Sequence, residues 1–157
     1  MGIEIERKFL VANDAWRKSV ISEARLKQGY LANQERASVR VRIGGNQAFL
    51  NIKSATLGIR RSEFEYEIPS SDAEEMLEQV AIRPFIDKTR YKVKCGEHIW
   101  EVDLFHGDNE GLIVAEIELE AEDENFETPE WVGEEVSGDP KYFNVCLVKH
   151  PFCKWAL

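Results

Sequence analysis

The 157-residue chain is 43% hydrophobic, enough for one domain over 1–157 that buries roughly two-thirds of its unfolded surface. Its 29 acidic and 20 basic residues leave a net charge of −9, which excludes the broadly basic surface that nucleic-acid binding requires. Cys95, Cys146 and Cys153 show neither zinc-ligand spacing nor a disulfide framework, and no apolar run nears the roughly 18 residues of a membrane span, so a cytoplasmic protein with no nucleic-acid or membrane partner is expected.

Alternation of apolar and polar residues predicts a first strand over Ile3–Phe9, followed by a short helix over Asp14–Val20. Strands are then predicted over Leu26–Leu31, Ser38–Ile43 and Ala48–Lys53, the last two joined through Gly44-Gly45-Asn46 as an antiparallel hairpin. Ser62–Ile68 reads as a fifth strand. A helix over Asp72–Val80 stands behind a Ser71-x-x-Glu74 capping box. Lys88–Lys94 and His98–Phe105 form a second hairpin around Cys95-Gly96-Glu97, and Leu112–Glu120 is the eighth strand. The acidic stretch 121–138 reads as a loop with some helix over one barrel end. A closing helix is predicted over Lys141–Lys149, with Asp139 as cap and Pro140 in its first turn. Eight strands with few helices give a mainly β (α+β) fold able to close an antiparallel barrel.

Successive strand residues point to opposite faces, so the charges can be sorted by parity. One face is apolar: Ile3, Ile5 and Phe9, Val39 to Ile43, Phe64 to Ile68, Tyr91 and Val93, Trp100 to Leu104, and Ile113 to Leu119. The other carries Glu4, Glu6 and Lys8, Arg40 and Arg42, Lys53, Arg61 to Glu67, Lys88 to Lys94, Glu101 and Asp103, and Glu116 to Glu120. Every strand but the second contributes charge there. A solvated sheet face is the simple explanation, but like charges repeat about 7 Å apart within single strands, which costs stability unless something compensates. Hard divalent ions such as Mg²⁺ or Mn²⁺ take carboxylate oxygens and keep positions for water and phosphate. A polyphosphate needs several cations along its length. Both signs on one concave wall suit a metal-chelated polyanion.

The chain has neither a Gly-x-x-x-x-Gly-Lys-[Ser/Thr] loop nor a Gly-x-Gly-x-x-Gly helix start, so phosphate is not held at a helix N-terminus. His98 and His106 share the parity of Trp100, and His150 lies beyond the last helix. A histidine base is therefore not expected, nor is a thiol nucleophile at Cys95.

Glu4-Ile5-Glu6-Arg7-Lys8 resembles the Glu-x-Glu-x-Lys signature of the CYTH proteins, the triphosphate tunnel metalloenzymes. The resemblance continues in order through Val39-Arg40-Val41-Arg42, Ile52-Lys53, Arg61-Ser62-Glu63-Phe64-Glu65, Lys88-Thr89-Arg90-Tyr91, Glu101-Val102-Asp103 and Ala115-Glu116-Ile117-Glu118. It implies an eight-stranded antiparallel β-barrel tunnel with its charged face inward and its apolar face under helices and loops. It also implies Mg²⁺ or Mn²⁺ on Glu4, Glu6, Glu118 and Glu116, and a phosphate grip of Lys8, Arg40, Arg42, Lys53, Arg61 and Arg90.

Within that frame, Lys88 is the candidate for polarising the scissile phosphoanhydride. Glu63 and Glu65 either orient the attacking water or pair with cations across the tunnel; Glu67 shares their parity. Asp103 is read as holding a cation in place rather than as a metal ligand. Gly133-Glu134-Glu135-Val136 with Tyr142-x-Asn144 is similar to the end of the compact bacterial tripolyphosphatase-like members, in which a closing helix blocks the tunnel. The expected activity is metal-dependent hydrolysis of tripolyphosphate to pyrophosphate and phosphate, by a monomer or a homodimer. The alternatives are thiamine or nucleoside triphosphate hydrolysis, adenylyl cyclisation, and a non-catalytic polyphosphate-binding module.

Overall fold

The computed structural model describes residues 2–55 and 58–155. Its strands are β1 (Ile3–Val11), β2 (Val20–Asn33), β3 (Ala37–Gly44), β4 (Gln47–Ser54), β5 (Arg60–Ile68), β6 (Ile82–Cys95), β7 (His98–Phe105), β8 (Ile113–Glu118) and β9 (Val132–Glu135). Its α-helices are α1 (Ser70–Gln79) and α2 (Asn144–Lys149). Antiparallel neighbours follow the order β5-β4-β3-β2-β6-β7-β8-β1-β9, and a further β1–β5 pairing closes eight of the strands into a barrel. Both expected hairpins form, with Gly45 (φ 59°) and Gly96 (φ 60°) in the left-handed region that glycine adopts without a Cβ penalty.

Closure depends on β1 changing partner along one edge. Ile3–Ile5 pair with Arg60–Ser62 of β5, whereas Phe9 and Val11 pair with β9. The stretch 121–138, expected to be loop with some helix, therefore contributes a strand, because Val132–Glu135 satisfy the backbone edge of β1 that β5 leaves open.

Other boundaries also differ from expectation. β2 and β6 each run for 14 residues, since their ladder extends from Val20–Val93 to Tyr30–Ile82 and carries segments with no apolar alternation of their own. The first helix is a 3-10 segment, Asp14–Ser19, capped by Asn13. The Ser71 capping box does not form: α1 starts at Ser70 behind Pro69, and the Pro69 carbonyl accepts from Ala73 N at 3.1 Å, which leaves Ser71 inside the first turn. The closing helix is interrupted at Phe143 (ψ 136°), giving a 3-10 turn over Pro140–Tyr142, capped by Asp139, and then α2.

The hydrophobic core lies largely outside the ring. Ile5, Val93, Trp100, Val102, Ala115 and Ile117 face outward and pack with Trp16 and Trp131. Val41 and Ala48 pack beneath Ala73 and Leu77 of α1. The outward face is not covered throughout, contrary to expectation: Ile3, Phe64 and Tyr66 are 58%, 46% and 57% exposed, because the α1 cluster covers the wall around Leu31, Val41, Ala48, Leu50 and Ile68 and does not include those three. Among the described residues no helix is long and apolar enough to cross a membrane.

Candidate active site

The residues facing into the barrel come in layers. On β2, β6, β7 and β8 the inward positions Tyr30, Ile86, Phe105 and Val114 form one apolar layer, buried with Tyr142, Leu147 and Val148 of the C-terminal segment. This end of the barrel is filled by side chains. The next inward positions, Gln28, Lys88, Asp103 and Glu116, are polar and also buried. Beyond them lies a cavity of about 260 Å³.

Its wall bears seven carboxylates (Glu4, Glu6, Glu63, Glu65, Glu101, Glu116, Glu118) and seven cations (Lys8, Arg40, Arg42, Lys53, Arg61, Lys88, Arg90). All four expected metal ligands, all six expected phosphate contacts and Lys88, Glu63 and Glu65 thus meet in one place. Asp103 does not line the cavity but lies directly behind it. Of the three β5 carboxylates on this face, Glu63 and Glu65 line the cavity and Glu67 lies beyond it. His98 and His106 are outside, against Glu124 and Thr89.

Ion pairs order part of this wall. Asp103 accepts from Arg90 Nε at 2.8 Å and from Lys88 Nζ at 2.7 Å; Asp103 and Lys88 are fully buried, and Arg90 is half-buried. Arg90 also reaches Glu116 (3.5 Å) and Glu101 (3.4 Å). Lys53 lies between Glu4 (3.3 Å) and Glu63 (3.4 Å), and Arg42 contacts Glu65 at 3.3 Å. Burial pushes the Lys88 ammonium down to about 8, against the pull of Asp103. Burial also lowers Arg42, with repulsion from Arg40 and Arg90 adding to it. The Arg40 Nε–H is buried with no acceptor among the described residues. An unmet donor in a crowd of like charges is the environment an anion relieves.

The carboxylates show the opposite imbalance. Burial first, then hydrogen bonding to Glu63 and repulsion by Glu6, pushes the Glu4 carboxyl up to about 10. Burial also raises Glu118, helped by Glu101 and Glu6. For Glu6 burial acts upward too, but Lys53 and hydrogen bonds with Glu116 and Glu4 hold it below the ordinary range. The raised Glu4 carboxyl hydrogen-bonds with Glu63 and Glu6, and a divalent cation would compete for the same oxygens. Among the described residues no three His, Cys, Asp or Glu side chains form a ready-made cage. Mg²⁺-type ions need none, since one or two carboxylates, waters and substrate phosphates complete their shell. The donor set fits a hard cation.

Several lining residues escape a sorting by charge. Tyr30, Asn51 and Asn144 are neutral; Asn51 donates to Glu65 at 3.3 Å, and Asn144 arrives from α2. Inward parity on β2 and β4 was the available signal for the first two, while no periodicity marks Asn144. The C-terminal segment is held by expected phosphate contacts: Lys8 Nζ donates to the Tyr142 carbonyl at 3.2 Å, and the Arg61 guanidinium lies 4.5 Å from the centre of the Phe143 ring. A second cavity of about 350 Å³, bordered by Phe49 and Lys92, shares Arg42, Arg90 and Glu101 with the first.

An inorganic triphosphatase from Acetivibrio thermocellus is 47% identical over 152 residues, spanning 97% of each chain, and one from Nitrosomonas europaea is 36% identical over 148 residues, spanning 92% of this chain and 95% of that one. The crystal structure of an inorganic triphosphatase superposes with a TM-score of 0.67 at 34% identity, covering 92% of this chain and 93% of that one. The CYTH domain family model matches residues 2–143, and the chain belongs to that family.

Proposed function

We propose that the protein hydrolyses inorganic tripolyphosphate to pyrophosphate and phosphate in the charge-lined cavity, with a divalent cation. The observation that carries the reading is the seven carboxylates and seven cations on one wall, with a buried Arg40 donor unmet and Glu4 disposed to hold a proton. The full-length similarity to two inorganic triphosphatases supports it.

Glu4, Glu6, Glu116 and Glu118 would hold the cation, Mg²⁺ or Mn²⁺ by the hardness of their oxygens. When bound, such an ion would offset negative charge on the phosphate oxygens. The chain's own residues supply the rest. Arg40, Arg42 and Arg90 oppose the negative charge of the substrate, and binding removes their mutual repulsion. Lys8, Lys53 and Arg61 extend the grip along the phosphate chain. Glu63 stays ionised, since Lys53 and a hydrogen bond with Glu4 overcome its burial. With Glu65 it offers acceptors that orient a water toward the phosphorus.

That water forms the new P–O bond as the bridging P–O bond breaks. One of its protons passes to a carboxylate, and Lys88 stabilises or protonates the departing pyrophosphate oxygen. Substrate, metal shell and side chains are held together before reaction, which is the main contribution a protein makes to phosphoryl transfer.

Rates of phosphate release from tripolyphosphate, thiamine triphosphate and ATP, each with Mg²⁺ and with Mn²⁺, test the substrate. The reading expects kcat/KM for tripolyphosphate to exceed the others by at least about tenfold, the size of about one lost buried contact. Cyclic AMP from ATP, or a preference for an organic triphosphate, would overturn it.

A further inference from the structure

The C-terminal segment reaches the reaction layer through one side chain. Asn144, the first residue of α2, accepts from Lys88 Nζ at 3.0 Å and from Gln28 Nε2 at 3.0 Å, both on its Oδ1. Lysine has only donors, so the amide oxygen must face it. Gln28, fully buried on β2, must then turn its NH₂ to the same oxygen, and its own Oε1 is left buried without a partner. An unsatisfied acceptor is the cost of that orientation. Asp103 already receives Nε and Nη2 of Arg90, so the oxygen it offers Lys88 is shared. Of the three N–H groups on Lys88, one goes to Asp103 and one to Asn144. The third has no hydrogen-bond partner among the described residues, and Lys88 lines the cavity.

We propose that Asn144 is a positioning residue, which with Gln28 fixes the Lys88 ammonium so that its remaining N–H points at the bound phosphate chain. The inference rests on the reading of Lys88 given above. It assigns α2 a part in turnover as well as in closing the barrel. Removing the acceptor lets Lys88 swing toward Asp103, which lowers kcat and leaves the phosphate grip, and so KM, in place.

The test uses full-length wild type, Asn144→Leu, Asn144→Asp, Lys88→Ala and the double variant Asn144→Leu/Lys88→Ala, assayed on tripolyphosphate with Mg²⁺ and checked for folding by thermal unfolding. Asn144→Leu is expected to lose about 10- to 100-fold in kcat with KM within about threefold, the range for outer partners of active groups. Asn144→Asp keeps an acceptor for both donors but adds a negative charge to the cavity wall, so its kcat is expected within about threefold of wild type while KM rises; it also carries the test if Asn144→Leu fails to fold. In the Lys88→Ala background Asn144→Leu should cost nothing further. Additive losses, an unaffected Asn144→Leu or an Asn144→Asp as slow as Asn144→Leu would overturn the inference. A Lys88→Ala enzyme with wild-type kcat would instead overturn the reading of Lys88.

Discussion

Lys88 is subject to two opposing influences, burial that pushes its pKa down to about 8 and the Asp103 carboxylate at 2.7 Å that favours the charged form. If the ammonium assists the leaving group, kcat/KM, which reports the free enzyme, should fall as pH rises through about 8. A bound polyanion favours the protonated lysine, so the corresponding limb in kcat should lie at higher pH. A pH–rate profile showing no decline in kcat/KM above pH 8, or coincident limbs, would remove that role. At this scale the charged half of the site was legible: Glu4, Glu6 and Lys8 alternate within one strand, and parity alone grouped them with Arg40, Lys53 and Glu118. Gln28, Tyr30 and Asn51 follow the same parity but carry no charge to single them out. Asn144 comes from a helix whose approach depends on tertiary packing.

Strands fared differently from their ends. Alternation located β7 to the residue, because Trp100, Val102 and Leu104 hold one face while Glu101 and Asp103 hold the other, between the Cys95-Gly96-Glu97 turn and Gly107. β2 and β6 were cut short because Val20–Arg25 is ordered by pairing with Thr89–Val93, and Ile82–Asp87 by pairing with Lys27–Tyr30, rather than by pattern. β9 is only four residues long and exists because β1 offers it an edge. α2 shows an element whose position matters more than its length. Leu147 is fully buried against the apolar inward layer, so Leu147→Ala should cost about 2–5 kcal/mol, as core leucine truncations do. Chemical denaturation at constant m-value measures it, and a loss below about 1 kcal/mol would mean that α2 is not seated in the barrel end.

As a whole the molecule inverts the usual arrangement, with an apolar core wrapped around the outside of a barrel whose interior is charged. The outer clusters under Trp16, Trp131 and α1 supply the hydrophobic burial, which frees the inner wall to hold carboxylates and cations that would otherwise be costly to desolvate. The overall charge of −9 gives no hint of this, since the cavity itself balances seven against seven. The buried Arg40 Nε–H with no acceptor among the described residues, beside a Glu4 carboxyl held well above the usual carboxylate range, suits a ligand of mixed sign.

The most direct measurement is ³¹P NMR of tripolyphosphate during turnover by the purified protein, with Mg²⁺ and again with a chelator in excess. The account predicts equal build-up of pyrophosphate and phosphate with the metal, and none once it is chelated. Persistent turnover in chelator, or phosphate appearing without pyrophosphate, would contradict it.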